Sequence, residues 1–523
     1  MSWPTRIIRW SFYLLFFSVP LFFLTNTSEL FEFPKIILTY LITTVIVTAW
    51  ASDCILQKKL VFKRTLLDLP LIIFLFSQFL SLLFSISIHV SWHGYYSRFN
   101  GGLASLLAYA ILYWAFVTYM DKKSTLSTIH YSLFAAMLVS LYGTLEHFGF
   151  SPSCVFTTGT WDTSCWVQDV QGRVFATLGQ PNWMAAYLVA LIFIPLSHFK
   201  GVRYWLAFAL LFSALLFTKS RSGILAFGIS SAVFWILTFF SNSPLHPPLN
   251  LRGGSEGALL KRLGIFIALT LTLTLTIQSP IKDQVNRLFF KSPPPTIAPS
   301  APSGTVLEDG SITDSGNIRQ IVWTGATRIW KSSIKNLIIG TGPETFAMSY
   351  YQYRPQEHNM TTEWELLYNK AHNEYLNYLA NTGLLGLLSY LVLLGFMTNV
   401  LFSNSPLRPP LNLRGGSEGA LYTTALLSGW VSILITNFWG FSVVIVQIFL
   451  FLFPAMAIAL NDETQNLKPI SVSPAQIFLL FIPGFAICYL LFAIGKYWLA
   501  DVAYADGLYA LRAFTATQEP SYL

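Results

Sequence analysis

Runs of apolar residues, each about twenty long, recur along almost the whole chain and constrain its fold more than any other feature. A run of this length crosses the hydrocarbon core of a bilayer as an α-helix, which satisfies its own backbone hydrogen bonds. The runs lie near 10–25, 35–56, 66–87, 101–120, 126–147, 182–199, 202–218, 222–240, 262–278, 374–402, 420–437, 440–460 and 474–495. They predict an all-α, polytopic helical membrane protein with about 13 (12–14) transmembrane helices and one large extracytoplasmic loop.

The composition agrees with this class and excludes others. Of the 523 residues, 54% are hydrophobic and only 11% are charged, whereas a soluble domain carries about a quarter charged residues. The net charge of +8 needs no nucleic-acid partner to explain it, because Lys and Arg collect in short loops on one side of the predicted membrane.

The loop charges also predict an orientation. The basic residues that lie on one side are Arg6, Arg9, Lys58, Lys59, Lys63, Arg64, Lys122, Lys123, Lys200, Arg203, Arg252, Lys261, Arg262, Arg408 and Arg414. The positive-inside rule makes this side cytoplasmic, with the large loop and the C-terminus outside. The chain then divides into nine N-terminal spans (1–278), a large outer loop with an amphipathic helix (279–373), the C-terminal spans (374–495) and an outer helical tail (496–523).

Two predicted cytoplasmic loops contain nearly the same nineteen-residue string. Ser241 to Leu259 recurs at Ser403 to Leu421, with Arg408 in place of His246. Structural repeats diverge while they keep their pattern, so this near-identity favours a duplicated insert in exposed loops. An interaction motif is the alternative interpretation.

The outer segments carry three further features. Cys154 and Cys165 would form a disulfide in an oxidising compartment, and two free thiols are the alternative. Residues 291–317 have a disordered composition, and the following 318–335 have helical spacing that suits a helix lying on the outer membrane face. The tail, from Tyr497 to Tyr509, alternates small and aromatic residues as at the start of a tetratricopeptide-type array.

Candidate chemistry is restricted to the predicted outer side. The sequence has no Walker loop, clustered Cys/His set or convincing Ser-His-Asp signature, so we expect neither a metal nor a cofactor. Arg98, Arg221 and Arg328 lie outside, against the usual charge bias, and arginine forks suit phosphate oxygens. Snorkelling to lipid headgroups is the alternative, and it is favoured for Lys219.

His372 lies where the large loop becomes a membrane span, and an ionisable group there is a functional candidate. Beside cations its imidazole would stay neutral, as a general base requires. The alternative is a residue that caps the helix or sits among headgroups.

Several short strings, in this order, resemble the signature of the O-antigen ligase and polymerase superfamily. They are Gly340-Thr341-Gly342-Pro343-Glu344-Thr345-Phe346, Ala371-His372-Asn373-Glu374-Tyr375-Leu376 and Gly383-Leu384-Leu385-Gly386, supported by Val19-Pro20, Phe33-Pro34-Lys35, Gly179 to Ala185, Ser220 to Gly223 and Ala326 to Trp330. The resemblance covers roughly residues 10–510. The repeated inserts, an extra span and the shortened helical tail depart from the family pattern, and the tail puts acceptor recognition in doubt.

The resemblance implies a metal-independent glycosyltransferase of the bacterial cytoplasmic (inner) membrane, whose donor is a glycan on polyprenyl diphosphate. It implies His372 as the base, Arg221 and Arg328 as diphosphate ligands, and Arg98 as a weaker one. Gly340, Gly342, Glu344 and Asn373 would support the loop. The implied partners are membrane lipids, a lipid, glycan or protein acceptor, and a tetratricopeptide-type chain.

Other functions stay open at this point. A polysaccharide or peptidoglycan polymerase and a protein O-oligosaccharyltransferase share the chemistry. A polysaccharide transporter or flippase is a different class, although its usual repeat of spans and midplane charges is not evident here. A binding scaffold without turnover is the remaining alternative.

Overall fold

The computed structural model describes residues 2–96, 98–197, 201–241, 255–280, 282, 315–405, 416–461, 470–471 and 481–517. Within these ranges the helices are α1 Trp3–Ser18, α2 Glu32–Gln57, α3 Asp68–Leu83, α4 Ile88–His93, α5 Leu103–Tyr119, α6 Lys122–His147, α7 Pro152–Thr157, α8 Pro181–Leu191, α9 Ile194–Ser197, α10 Val202–Phe217, α11 Arg221–Ser241, α12 Ser255–Thr276, α13 Ser315–Lys331, α14 Ile334–Ile339, α15 Phe346–Tyr353, α16 Glu374–Ser403, α17 Gly416–Phe438, α18 Val444–Asn461 and α19 Phe481–Thr517. Two 3₁₀ turns, Ala176–Leu178 and Gln356–Met360, and one antiparallel pair of two-residue strands, Lys59–Leu60 with Ile470–Ser471, complete the described secondary structure.

The prediction of a helical membrane protein is confirmed, and each predicted apolar run overlaps one or two helices in the described residues. Seven of the described helices are long and apolar enough to cross a bilayer, and several shorter apolar helices accompany them. The count of thirteen spans and their orientation stay predictions.

Helix α18 forms the centre of the bundle. Every residue from Val444 to Ala457 is buried, because this helix is apolar on all sides and other helices surround it. The indole N–H of Trp430, on α17, donates to the carbonyl oxygen of Leu450 at 2.9 Å. By contrast, α3 leaves large apolar side chains such as Phe76 exposed, as a helix at the lipid boundary would.

Two glycine turns fix the place where the large loop rejoins the bundle. Gly340 has φ +71°, and a Cβ there would lie 2.2 Å from the carbonyl oxygen of Asn381. Gly383, which kinks α16, has φ +64°, and its Cβ would lie 2.4 Å from the carbonyl carbon of Ile338. The amide of Gly342 donates to the carbonyl oxygen of Asn381 at 2.8 Å. The two turns therefore pack backbone against backbone, which only residues without a side chain permit.

The loop helix α13 is amphipathic, but its apolar face lies against protein. Ile318, Val322, Ala326 and Ile329 form a buried cluster with residues of α15 and α16, among them Tyr350. Residues of the loop and of α16 therefore cover the apolar face of α13. The expectation that this face rests on the outer membrane surface is wrong.

Other sequence features have mixed outcomes. Cys154 and Cys165 form a disulfide, with their Cα atoms 5.4 Å apart. Most of the repeated strings and of 291–317 lies outside the described residues. The tail is the continuation of α19, so a tetratricopeptide-type array stays a prediction.

The last helix makes polar contacts with the loop after α1 and with α4. Asp501 accepts hydrogen bonds from the amide, at 2.8 Å, and from the hydroxyl of Ser28. The hydroxyl of Tyr497 lies 3.1 Å from Nε2 of His93. The loop between α1 and α2, helix α4 and the last described helix thus meet at one place.

Candidate functional site

A polar cavity lies where five separate segments of the chain converge. Its walls are the start of α8 (Asn182 and Trp183), Ser222 of α11, Arg319 of α13, His372, and the turn between α17 and α18 (Trp439 and Phe441). Its lining combines one cation, amides, hydroxyls and aromatic rings, which suits a polar ligand with an anionic group.

His372 enters the cavity from a strained turn. Its φ is +51°, which is uncommon for a residue with a side chain. Asn373 then caps α16, with its Oδ1 accepting from the amide of Leu376 at 3.0 Å. The imidazole contacts the edge of Tyr368, with ring centroids 5.1 Å apart, and of Phe441 at 5.5 Å. The cap and the two rings hold the imidazole against the cavity.

The surroundings keep this imidazole neutral. Burial and the positive charges of Arg319, Arg98 and Lys370 together lower the pKa of His372 to about 3. Part of the ring remains accessible, since the residue is half-buried. A neutral imidazole at an accessible edge can accept a proton.

Two further arginines, Arg173 and Arg221, belong to a cluster with Arg319, which lines the cavity. Burial lowers the pKa of Arg173, and so do the positive charges of Arg221 and Arg319. Arg221 begins α11, so the partial positive charge of that helix end adds to the charge of the cluster. Like charges held close together destabilise one another unless an anion joins them, so this cluster would stabilise a phosphate group.

Arg98 borders the same cavity. Its guanidinium lies 4.8 Å from the ring centroid of Trp183 and 5.1 Å from that of Phe441. Burial lowers the pKa of Arg98, although the carboxylates of Glu29 and Glu32 oppose that shift. Within the described residues, its buried Nη1 has no hydrogen-bond partner. The guanidinium thus has donor capacity left for a ligand.

Arg328 does not line this cavity. It is exposed, and its charge acts on Tyr350. Arg328 follows Arg319 by nine residues on α13, which at about 100° per residue places the two side chains on opposite sides of the helix. The residue of α13 that faces His372 is therefore Arg319.

A buried ion pair joins the two halves of the large loop. Nζ of Lys370 lies 2.6 Å from Oε1 of Glu344, and each side chain is only 5% exposed. The ammonium also lies 5.4 Å from the ring centroid of Phe441. Together with the turns at Gly340 and Gly342, this pair connects the glycine string to the segment that carries His372.

The sequence analysis missed Arg173, Arg319, Lys370 and Phe441. Arg173 and Arg319 carry the same signal as Arg98, a positive charge on the predicted outer side, and that signal could have found them. Phe441 carries no such signal, because an aromatic residue at a span end is ordinary.

Comparison with known families identifies this region. Residues 206–391 match the family model described as O-Antigen ligase. A search of curated proteins gives no match. The matched segment contains Arg221, Arg319, Arg328 and His372, which are three of the predicted site residues and one that the structure adds. The chain is therefore a multi-pass membrane protein whose residues 206–391 match the O-Antigen ligase family, and this match supports a ligase- or polymerase-type role in membrane glycan processing.

Proposed function

We propose that this protein transfers a glycan from polyprenyl diphosphate to a hydroxyl or amine of an acceptor at the outer face of the bacterial cytoplasmic membrane. The observation that carries the proposal is the single cavity in which neutral His372 faces Arg319. A base for the acceptor and a cation for the leaving group are the two parts that such a transfer needs.

The diphosphate binds to the arginine cluster. Arg221 and Arg319 are its main ligands, Arg173 adds charge, and Arg98 donates from its free Nη1. A lipid diphosphate brings roughly two or three negative charges, which this many guanidinium groups can offset in a water-poor cleft. Arg319 takes the role that the resemblance implied for Arg328, because Arg319 and His372 line one cavity.

The reaction is an inverting displacement. Nε2 or Nδ1 of His372 accepts the proton as the acceptor oxygen or nitrogen attacks the anomeric carbon. The bond between that carbon and the diphosphate oxygen breaks, and polyprenyl diphosphate leaves with the electron pair. Since the arginines bind more strongly as charge develops on the leaving oxygen, they stabilise the transition state more than the ground state.

Binding of the donor also changes the pKa of His372. In the donor-free protein, positive neighbours hold the imidazole in its neutral but weakly basic form. A bound diphosphate offsets these charges and raises the pKa of His372, which strengthens it as a base once the donor is in place. Trp183, Trp439 and Phe441 supply aromatic faces for the first sugar of the donor.

The test is transfer by purified protein from polyprenyl-diphosphate glycans to a panel of lipid, glycan and peptide acceptors. We expect release of polyprenyl diphosphate by wild type, and a loss of about 10²–10⁴ in kcat for His372→Ala. Arg221→Ala and Arg319→Ala should lower turnover as well. His89→Ala, which changes an exposed histidine outside the cavity, is the matched control and should retain activity.

The acceptor that becomes glycosylated separates the alternatives. Transfer to lipid A core indicates a ligase, transfer to a second lipid-linked glycan a polymerase, and transfer to a peptide a protein O-oligosaccharyltransferase. If the intact donor crosses the membrane of reconstituted vesicles and no polyprenyl diphosphate is released, the proposal is wrong and the protein acts as a flippase.

A further inference from the structure

A second polar chamber lies beside the site and shares no lining residue with the first cavity. It is enclosed by Gln78 of α3, by the first turns of α16 and by the loop residues Glu344 and Lys370. Glu374, Asn377 and Asn381 reach it from one face of α16, since they follow one another by three and four residues. The chamber has room for about one water-sized particle.

Three oxygens at this chamber lack hydrogen-bond partners within the described residues. They are Oε2 of Glu344, Oε2 of Glu374 and Oδ1 of Asn381. These residues are only 5%, 6% and 2% exposed, respectively. Buried acceptors without partners cost free energy, and native proteins seldom leave three of them together.

The charges of the lining are also unbalanced. Two carboxylates, Glu344 and Glu374, share a single ammonium, that of Lys370, whose charge acts on both. Arg98 also interacts with Glu344, but the carboxylates of Glu29 and Glu32 affect it more strongly. With both carboxylates ionised, the chamber has one negative charge in excess, which one bound monovalent cation would balance.

We propose that this chamber binds one small monovalent cation, a sodium or potassium ion, through the oxygens of Glu344, Glu374 and Asn381. A single water has only two hydrogens to donate and carries no charge, so it satisfies neither the three oxygens nor the charge. A divalent ion would over-compensate one negative charge. In addition, no group of three His, Cys, Asp or Glu side chains is placed to hold a metal in the described part of the chain.

The bound ion stabilises the loop that carries His372. It joins Glu344, from the glycine string, to Glu374, which follows His372 by two residues. It therefore adds a second link to the one that Lys370 makes with Glu344, and it does so without touching the reacting groups. This role is separate from the transfer reaction, and its test needs no substrate.

The experiment measures the midpoint of thermal unfolding of the full chain in sodium, potassium or choline chloride, at fixed pH and chloride concentration. We expect a saturable rise of about 2 °C or more with at least one alkali cation relative to choline. Glu374→Gln removes the excess charge, so it should fold in choline and show no response to either cation. Glu357→Gln, at an exposed position of the same loop, should respond as wild type does.

A second variant keeps the test decisive if Glu374→Gln does not fold. Asn381→Ala retains the charge but removes one oxygen, and it should need several-fold more cation for half of the rise. Equal midpoints of wild type in all three salts would overturn the proposal. So would a cation response that persists in Glu374→Gln, or a midpoint that follows pH alone, which would assign the chamber to a proton.

Discussion

The imidazole of His372 is surrounded by positive charge, and this leads to a pH prediction. Burial and the charges of Arg319, Arg98 and Lys370 disfavour the imidazolium, which lowers its pKa to about 3 in the donor-free protein. The acid limb of kcat/KM for the donor should therefore lie well below the usual histidine value of about 6.5. Because a bound diphosphate raises that pKa, the acid limb of kcat should lie at higher pH than that of kcat/KM. Rates measured between pH 4 and pH 8 check both limbs.

Arg319→Gln tests the source of that shift. Loss of this positive charge favours the imidazolium, so the acid limb of kcat/KM should move upward in pH. The same variant should raise KM for the donor by about 10- to 100-fold, the value of one charge-assisted contact. Arg328→Gln is its matched control on the same helix, and should change neither quantity by more than about twofold. Equal effects of the two variants would contradict the assignment of Arg319.

At the residue scale, the sequence draws attention to residue types that are unusual for their positions, and the roles of these residues stay predictions. His372, Arg98 and Arg221 were chosen because ionisable groups are rare beside a membrane, and the structure brings them to one cavity or its border. Charge bias and the resemblance together point to Arg328, whereas Arg319 carries the charge signal alone. Arg319 and Arg328 lie on opposite faces of α13. Which face packs on the protein depends on α15 and α16, and the sequence of α13 does not indicate these contacts.

At the scale of elements, the kink of α16 has a consequence for stability. Gly383→Ala would place a Cβ 2.4 Å from the backbone of Ile338, at a φ of +64°. We expect a loss of at least about 1–3 kcal/mol in unfolding free energy and a displaced His372 segment. Thermal unfolding together with the transfer rate checks this.

The control lies in the same helix. Gly395 has no atom within 4 Å of an added Cβ and has ordinary helical backbone, so Gly395→Ala should leave stability unchanged or raise it by up to about 1 kcal/mol. If both variants behaved alike, the close backbone contact of the two glycine turns would have no energetic role.

The helices were predictable because hydropathy reports directly on residence in a bilayer core. The sequence could not predict which residues cover the apolar face of an amphipathic helix. Periodicity reveals the apolar stripe, but it does not reveal what packs on that stripe. For α13 the cover is Phe346, Tyr350 and Ala380, which no local pattern around 318–335 could indicate.

At the scale of the whole molecule, the tail helix is joined to the N-terminal part through Asp501. Asp501→Ala removes both hydrogen bonds to Ser28, one of them from the backbone amide. We expect about 10- to 100-fold faster hydrogen exchange at Ser28, as the loss of bonds to a charged acceptor implies. Mass spectrometry of deuterated peptides measures it. The exposed Asp506, changed to Ala, provides the comparison and should leave the exchange at Ser28 as it is.

The convergence of five segments on one cavity also governs when the protein becomes active during synthesis. Arg98, Asn182 and Ser222 leave the ribosome early, whereas Trp439 and Phe441 enter only after α17 has been inserted. A nascent chain therefore carries its cations long before it carries the aromatic wall that encloses them. Under the proposed function, transfer starts only when the turn between α17 and α18 is in place, so a chain inserted only as far as α16 would not consume the donor.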